Sequence, residues 1–126
     1  MKAFWIVLAA TAVLFIAWGL FISSADADIE KMKAEIDSAI TAISVEEWDK
    51  GQDAIDNIFR QWKDKRLVFS LFFDAISIGE AEASLFKADA YTKAREKGSA
   101  MAELAYIRHR LSFLYENEKI TIENIL

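Results

Sequence analysis

The first apolar pattern along the chain is a block, not a stripe. From Ala3 to Ile22 no residue carries a charge, and only Thr11 and Gly19 interrupt the apolar side chains. A helix of that length rises about 30 Å, the thickness of a bilayer's hydrocarbon core, so residues 3–22 are predicted to span a membrane. Trp5 and Trp18 stand near the two ends, where amphipathic rings favour the headgroup level. Lys2 precedes the block while Asp26, Asp28 and Glu30 follow it, which orients the N-terminus to the cytoplasm. The alternative is a cleaved signal peptide, because Ala25-Asp26-Ala27 has the small-x-small form that signal peptidase accepts before Asp28. Against it, the run exceeds the apolar core of about 7 to 15 residues usual in a signal peptide, and the basic region is a single lysine. Either way the remainder is exported. The expected organisation is a transmembrane signal-anchor at 1–25 and an extracytoplasmic domain at 26–126, held at the cell membrane.

Beyond the block the pattern becomes periodic. Ile29, Met32, Ile36, Ala39 and Ile43 alternate spacings of three and four, the stripe of a helix packed along another helix. This helix either continues the membrane segment directly or hinges at Ser23 to Asp26. Ser44-Val45-Glu46-Glu47 fits a capping box that starts a second helix, with the stripe Trp48, Gly51, Ile55, Ile58, Phe59 and Trp62. A glycine between large rings suggests close helix packing, and Glu46, Glu47, Asp49, Asp53 and Asp56 form the acidic opposite side. After Lys63-Asp64-Lys65-Arg66 comes Leu67 to Phe73, apolar nearly all round and too short to cross a bilayer. Such a helix belongs in the middle of a bundle. Alternatively, its outer face docks a membrane partner or dips into the lipid interface.

Ser77 to Gly79 reads as a tight link in which Ser77 caps the next helix with Glu80 at the third position. Ala81, Leu85, Ala88, Tyr91 and Arg95 then share a face, and Gly98 is expected to end that helix. A last long helix opens at Ser99, carries Met101, Leu104, Ile107, Arg108, Leu111, Leu114 and Tyr115, and closes at Glu116 to Lys119. Residues 120–126 are expected to fold back as an extended tail or short helix. The fold class is therefore all-α, an up-and-down bundle of about four helices after the membrane helix.

Composition narrows the chemistry. The chain has 15 basic and 20 acidic side chains, and only Lys2 among them precedes Asp26, so the domain's formal charge is −6. That argues against nucleic acid as a partner, although Arg60, Lys63, Lys65 and Arg66 cluster beside Trp62 and Phe69. Cysteine is absent, which removes disulfides, thiolate nucleophiles and thiolate metal sites. Proline is absent too, so helices can run long. His109, the single histidine, lies between Arg108 and Arg110, a poor setting for a base or a metal ligand. Glu103 is six residues before it, so the Glu-x-x-His spacing of helical di-iron sites is missing. No phosphate loop, nucleophile elbow or nucleotide fingerprint occurs. No catalytic residue, cofactor site or metal site is expected.

Trp62-Lys63, Lys65, Phe69-Ser70-Leu71-Phe72, the later Ala102-Glu103-Leu104-Ala105, and Glu118, Ile120-Thr121 and Glu123 to Leu126 carry a resemblance. Nearly the whole chain resembles an uncharacterised family of short Firmicute proteins, a domain of unknown function with an N-terminal membrane segment and exported helices. Members of that family often have a histidine after the Leu-Phe-x-x segment, where this chain has Asp74-Ala75. The resemblance also implies a small multi-pass membrane protein as partner, and it supplies no catalytic residues. The expected function is thus a non-enzymatic interaction or accessory subunit for a membrane partner, contacting the bilayer through residues 3–22. Its expected contact residues are Trp62, Lys63, Arg66, Phe69, Phe72 and Phe73. The alternative is a free-standing exported module that binds a small or peptidic ligand between its helices.

Overall fold

Apolar stripes that no single helix can cover by itself are buried here by packing four helices side by side. The computed structural model describes residues 1–125, with side chains described through Ser112 except those of Ile22, Ala25 and Phe72. The helices are α1 (Lys2–Ser44), α2 (Trp48–Phe72), α3 (Ala75–Lys93) and α4 (Lys97–Ile125). Each packs on its neighbours in the sequence, and α4 closes the ring against α1. Short connections leave little other choice. Cross-helix bonds show successive helices running antiparallel. Lys65 bonds Asp28 at 3.1 Å near one end of the α1–α2 pair, and Gly51 abuts Ile43 near the other. Between α2 and α3, Gln52 donates to Asp89 at 2.7 Å and the Trp62 indole to Glu82 at 2.9 Å. Arg108 of α4 donates to Asp37 of α1 at 2.7 Å.

The stripes read from the sequence form the core as far as Leu111, while the Leu114 and Tyr115 side chains lie outside the described residues. Ile29, Met32, Ile36, Ala39 and Ile43 are buried, as are Ile55, Ile58, Ala81, Leu85, Ala88, Leu104, Ile107 and Leu111. Each buried isoleucine or leucine contributes about 1.5–3 kcal/mol by leaving water. The all-helical reading holds, and of the two alternatives at Ser23 to Asp26 the helix takes direct continuation: the apolar segment, long and apolar enough to span a membrane, is not a separate piece. It is the first half of α1, a single helix that runs from Lys2 through Ser23 to Asp28 and on to Ser44 without a break. No proline or helix-ending cap lies in that stretch, so nothing terminates the helix. Its 43 residues rise about 64 Å.

Several expected boundaries shift. Ser44 does not cap α2: it ends α1, and its hydroxyl donates to the Thr41 carbonyl at 2.7 Å. The turn is closed instead by backbone bonds, Glu46 N–H to Ile43 (3.0 Å) and Glu47 N–H to Ala42 (2.9 Å), with Glu46 left-handed at φ 61°. This is a Schellman ending, which satisfies the carbonyls that a capping box would ignore. The same device recurs after α3, where Arg95 at φ 57° donates to Thr92 and Glu96 donates to Tyr91. Arg95 is therefore a turn residue and not part of the α3 stripe, and Gly98 lies inside α4 rather than at a helix end. The link expected at Ser77 to Gly79 falls earlier, at Phe73–Asp74. Asp74 caps α3, accepting from the Ser77 amide at 2.8 Å and from its hydroxyl at 2.8 Å. These bonds, the amide's foremost, hold the Asp74 carboxyl below its ordinary range. Residues 67–72 are the end of α2, with Phe73 its C-cap, and not a separate helix, and they are not covered all round. Phe69 and Phe73 are buried while Leu67 and Leu71 are exposed. Finally, α4 continues as helix through Ile125, with no fold-back at residues 120–125.

Gly51 is where α1 and α2 come closest. A β-carbon there would lie 2.8 Å from Ile43 Cγ1, and Ile43 is fully buried. Gly51→Ala should lower the unfolding free energy by about 1–2 kcal/mol despite alanine's better helix propensity, because overpacking outweighs it. Gly79, helical and facing open space, should show the opposite sign, a gain of about 0.5–1 kcal/mol for Gly79→Ala. Urea denaturation of the detergent-solubilised chain checks both. Glu46→Gly and Arg95→Gly should each stabilise by about 1 kcal/mol, since glycine adopts the left-handed conformation without steric cost. A loss in either variant would mean that the side chain at the turn outweighs its backbone strain.

Candidate functional site

Polar side chains that bond across helices are gathered along the seam between α2 and α3. Trp62 faces inward because it continues the stripe Ile55, Ile58; its ring packs on Phe69 at 5.4 Å between centroids, and Phe69 on Phe73 at 5.8 Å. A buried indole N–H needs an acceptor, and it finds Glu82 Oε1 at 2.9 Å on the facing helix. The same oxygen accepts from Arg66 Nε at 2.5 Å. The Trp62 bond first, then Arg66, lowers the Glu82 carboxyl pKa, partly opposed by its own burial. Glu82 therefore remains a carboxylate, tied to the core through tryptophan and to the surface through arginine.

Two grooves flank this bridge. Towards the α2–α3 turn lies one of about 520 Å³, lined by Lys63, Arg66, Leu67, Ser70, Phe73, Ala75, Ile78, Gly79 and Glu82. On the other side lies one of about 330 Å³, where Phe59, Phe86 and Leu85 form the apolar wall opposite Arg60 and Lys63. The Phe59 and Phe86 rings meet at 5.3 Å between centroids, inclined by 58°, and Phe86 is exposed. The arrangement offers a carboxylate held ionised, guanidinium and ammonium groups, and apolar walls, which is equipment for binding a partner's side chain or a small amphipathic molecule. Elsewhere, Arg108 and Arg110 beside the exposed His109 are engaged with Asp37 and Glu80 on neighbouring helices. Among the described residues, no group of three or more histidine and carboxylate side chains is placed to hold a metal ion.

The structure divides the residues expected to contact a partner. Lys63 and Arg66 are exposed and line both grooves. Trp62, Phe69 and Phe73 belong to the core, with Trp62 also on the wall of the smaller groove and Phe73 on that of the larger. The Phe72 side chain lies outside the described residues. Reading 67–73 as apolar all round concealed the division, yet the spacing contains it. Positions 62, 69 and 73 share one side of α2, while 63, 67 and 71 recur every fourth residue on the other. Glu82 was missed because one of three acids on an alanine-rich helix gives no sign that a tryptophan twenty residues earlier will face it.

Because Glu82 titrates below its ordinary value near 4.5, its contribution is present above the unfolded-state pKa and is lost as pH falls through the lower folded value. Glu82→Gln should therefore cost about 1 kcal/mol at neutral pH, and the difference between the two proteins should shrink as pH drops below about 4.5. Denaturation curves of both proteins across that range measure it. A difference independent of pH would mean that Trp62 and Arg66 gain nothing from the charge.

No curated protein and no solved structure matched the chain. A family model described as a domain of unknown function (DUF4363) matches residues 20–125, which takes in α2, α3, α4 and α1 from Leu20 onward. With most of its length matched, including every residue around the Trp62–Glu82–Arg66 bridge, the chain belongs to the DUF4363 family of domains of unknown function.

Proposed function

We propose that this protein is a membrane-anchored accessory subunit, N-terminus in the cytoplasm and bundle outside, that holds a membrane partner and performs no chemistry of its own. The observation that carries this reading is the double character of α1. Its first twenty or so residues are apolar and exposed, with none of the most apolar stretch buried in the protein, while Ile29 to Ile43 form the core of the bundle. Exposed phenylalanine, tryptophan, leucine and isoleucine all round a helix call for a lipid or protein cover. A rigid continuation into the bundle transmits any movement of that cover to the domain. The partner, by this proposal a multi-pass membrane protein, meets α1 within the bilayer and the α2–α3 grooves outside it, where Lys63 and Arg66 supply charge and orientation. The volume of the larger groove also favours a second reading, an exported module that binds a small or peptidic ligand.

Affinity purification of the tagged chain from native membranes, with lysine cross-linking and mass spectrometry, separates the two. The expected outcome is stoichiometric recovery of one membrane protein, cross-linked at Lys63 or Lys65. Lys63→Glu with Arg66→Glu should reduce that recovery about tenfold without unfolding the domain, because an exposed ion pair such as Arg66–Glu82 contributes at most about 1 kcal/mol. Recovery of the chain alone, or as a form beginning at Asp28, would discard the accessory role in favour of the ligand-binding module.

A further inference from the structure

Leu67, Leu71 and Ile76 are 78 %, 71 % and 75 % exposed, three large apolar side chains clustered around one end of the bundle. Their height relative to α1 is fixed by two contacts. Gly51 lies against Ile43, and Lys65 bonds Asp28 at 3.1 Å, so α1 and α2 run antiparallel in one constant register. Continuing α2 by six residues from Lys65 reaches Leu71; retracing α1 by six residues from Asp28 reaches residue 22, where the uncharged segment ends. Leu71 therefore lies level with the outer end of that segment. Leu67 stands one turn higher, and Ile76, in the first turn of α3, lies beside the same end.

We infer that the α2–α3 turn is a second membrane contact, a foot whose Leu67, Leu71 and Ile76 side chains sit in the lipid headgroup and upper acyl region beside the point where α1 leaves the bilayer. This rests on residues 3–22 spanning the membrane. Given that, the foot follows from register, since α2 is too long to end in water above the surface and its apolar side chains arrive at interface depth. The flanking chemistry suits that depth. Lys63, one turn above Leu67 on the same side of α2, can keep its ammonium among phosphates while its stem follows the leucine. The Asp74 carboxylate at the turn is engaged by the Ser77 amide and hydroxyl, and headgroup level tolerates a charge that the hydrocarbon would not. Two attachments, one spanning and one shallow, fix the tilt and rotation of the bundle and direct the α2–α3 groove along the membrane surface.

Native cysteine is absent, so single-cysteine variants of the full chain can carry a bimane fluorophore at one position each: Leu71→Cys, Ile76→Cys, Phe15→Cys within the anchor, and Asp53→Cys far up α2. Each is reconstituted into phosphatidylcholine vesicles, with no other protein, containing lipids nitroxide-labelled either near the headgroup or deep in the acyl chain. The expected result is about a twofold drop in fluorescence at positions 71 and 76 with the shallow quencher, as a burial of about 5–10 Å requires. Position 15 should respond to the deep quencher and position 53 to neither. Quenching at 15 with positions 71 and 76 as bright as 53 would overturn the foot and leave the anchor standing. A partner protein covering Leu71 and Ile76 in cells would give that same result here. Absence of deep quenching at position 15 would overturn the spanning segment itself, and the foot with it.

Discussion

The antiparallel packing of α2 against the second half of α1 governs the rest of the molecule, because α1 is apolar and exposed over its first half and striped and buried over its second. Its first half stays outside the bundle, and its striped half forms the bundle's core. Gly51 permits the close approach: with hydrogen in place of a β-carbon, Ile43 fits against the α2 backbone and the two helices align along their length. Once that register is set, α3 and α4 have one arrangement that buries Ala81, Leu85, Leu104 and Ile107 against the existing faces. The Schellman turns at Glu46 and Arg95 reinforce it at the far end, since each reverses the chain within three residues and leaves no slack for another order of helices.

The two ends of the bundle therefore differ in kind. The far end is closed by backbone bonds and flanked by charged side chains, including Glu46, Glu47 and Lys97, all exposed. The near end carries the extended Phe73–Asp74 link, the Asp74 cap and exposed leucine and isoleucine, beside the emergence of the apolar half of α1. Between them, the Trp62–Glu82–Arg66 bridge joins core to surface across α2 and α3. A carboxylate that accepts from a buried indole is held in place more firmly than one paired only with an exposed arginine, because the indole cannot move without disturbing Phe69 and Phe73.

Much of this was legible in the sequence, because it depends on periods and lengths. The uncharged run from Ala3 to Ile22, the three-and-four spacing from Ile29 to Ile43 and the alternation around Leu104 to Leu111 determine helices and their inward faces whatever surrounds them. The significance of Gly51 was visible as well, since a glycine between tryptophans on a buried stripe has few other uses. Local chemistry was less decisive where two signals competed. Ser44 could cap a helix, yet a Schellman ending with Glu46 prevailed; Gly79 and Gly98 could end helices, yet Asp74 and Arg95 took the boundaries. Such alternatives differ by about 1 kcal/mol, which tertiary packing readily overrides.

What the sequence could not determine is which residues meet across the seams. That Glu82 would receive both Trp62 and Arg66, that Lys65 would reach back to Asp28, and that Leu71 would come level with residue 22 all follow from the antiparallel register of α1, α2 and α3. Register is set by the fit of whole faces, above all at Gly51 and Ile43. The sequence by itself determined that this chain is helical, apolar at one end and striped beyond it, because helix periodicity is a local property of spacing. Only the tertiary structure decided that the two parts are one rod and which apolar side chains remain outside, because a side chain is buried or exposed by its neighbours in space and not by its neighbours in the chain.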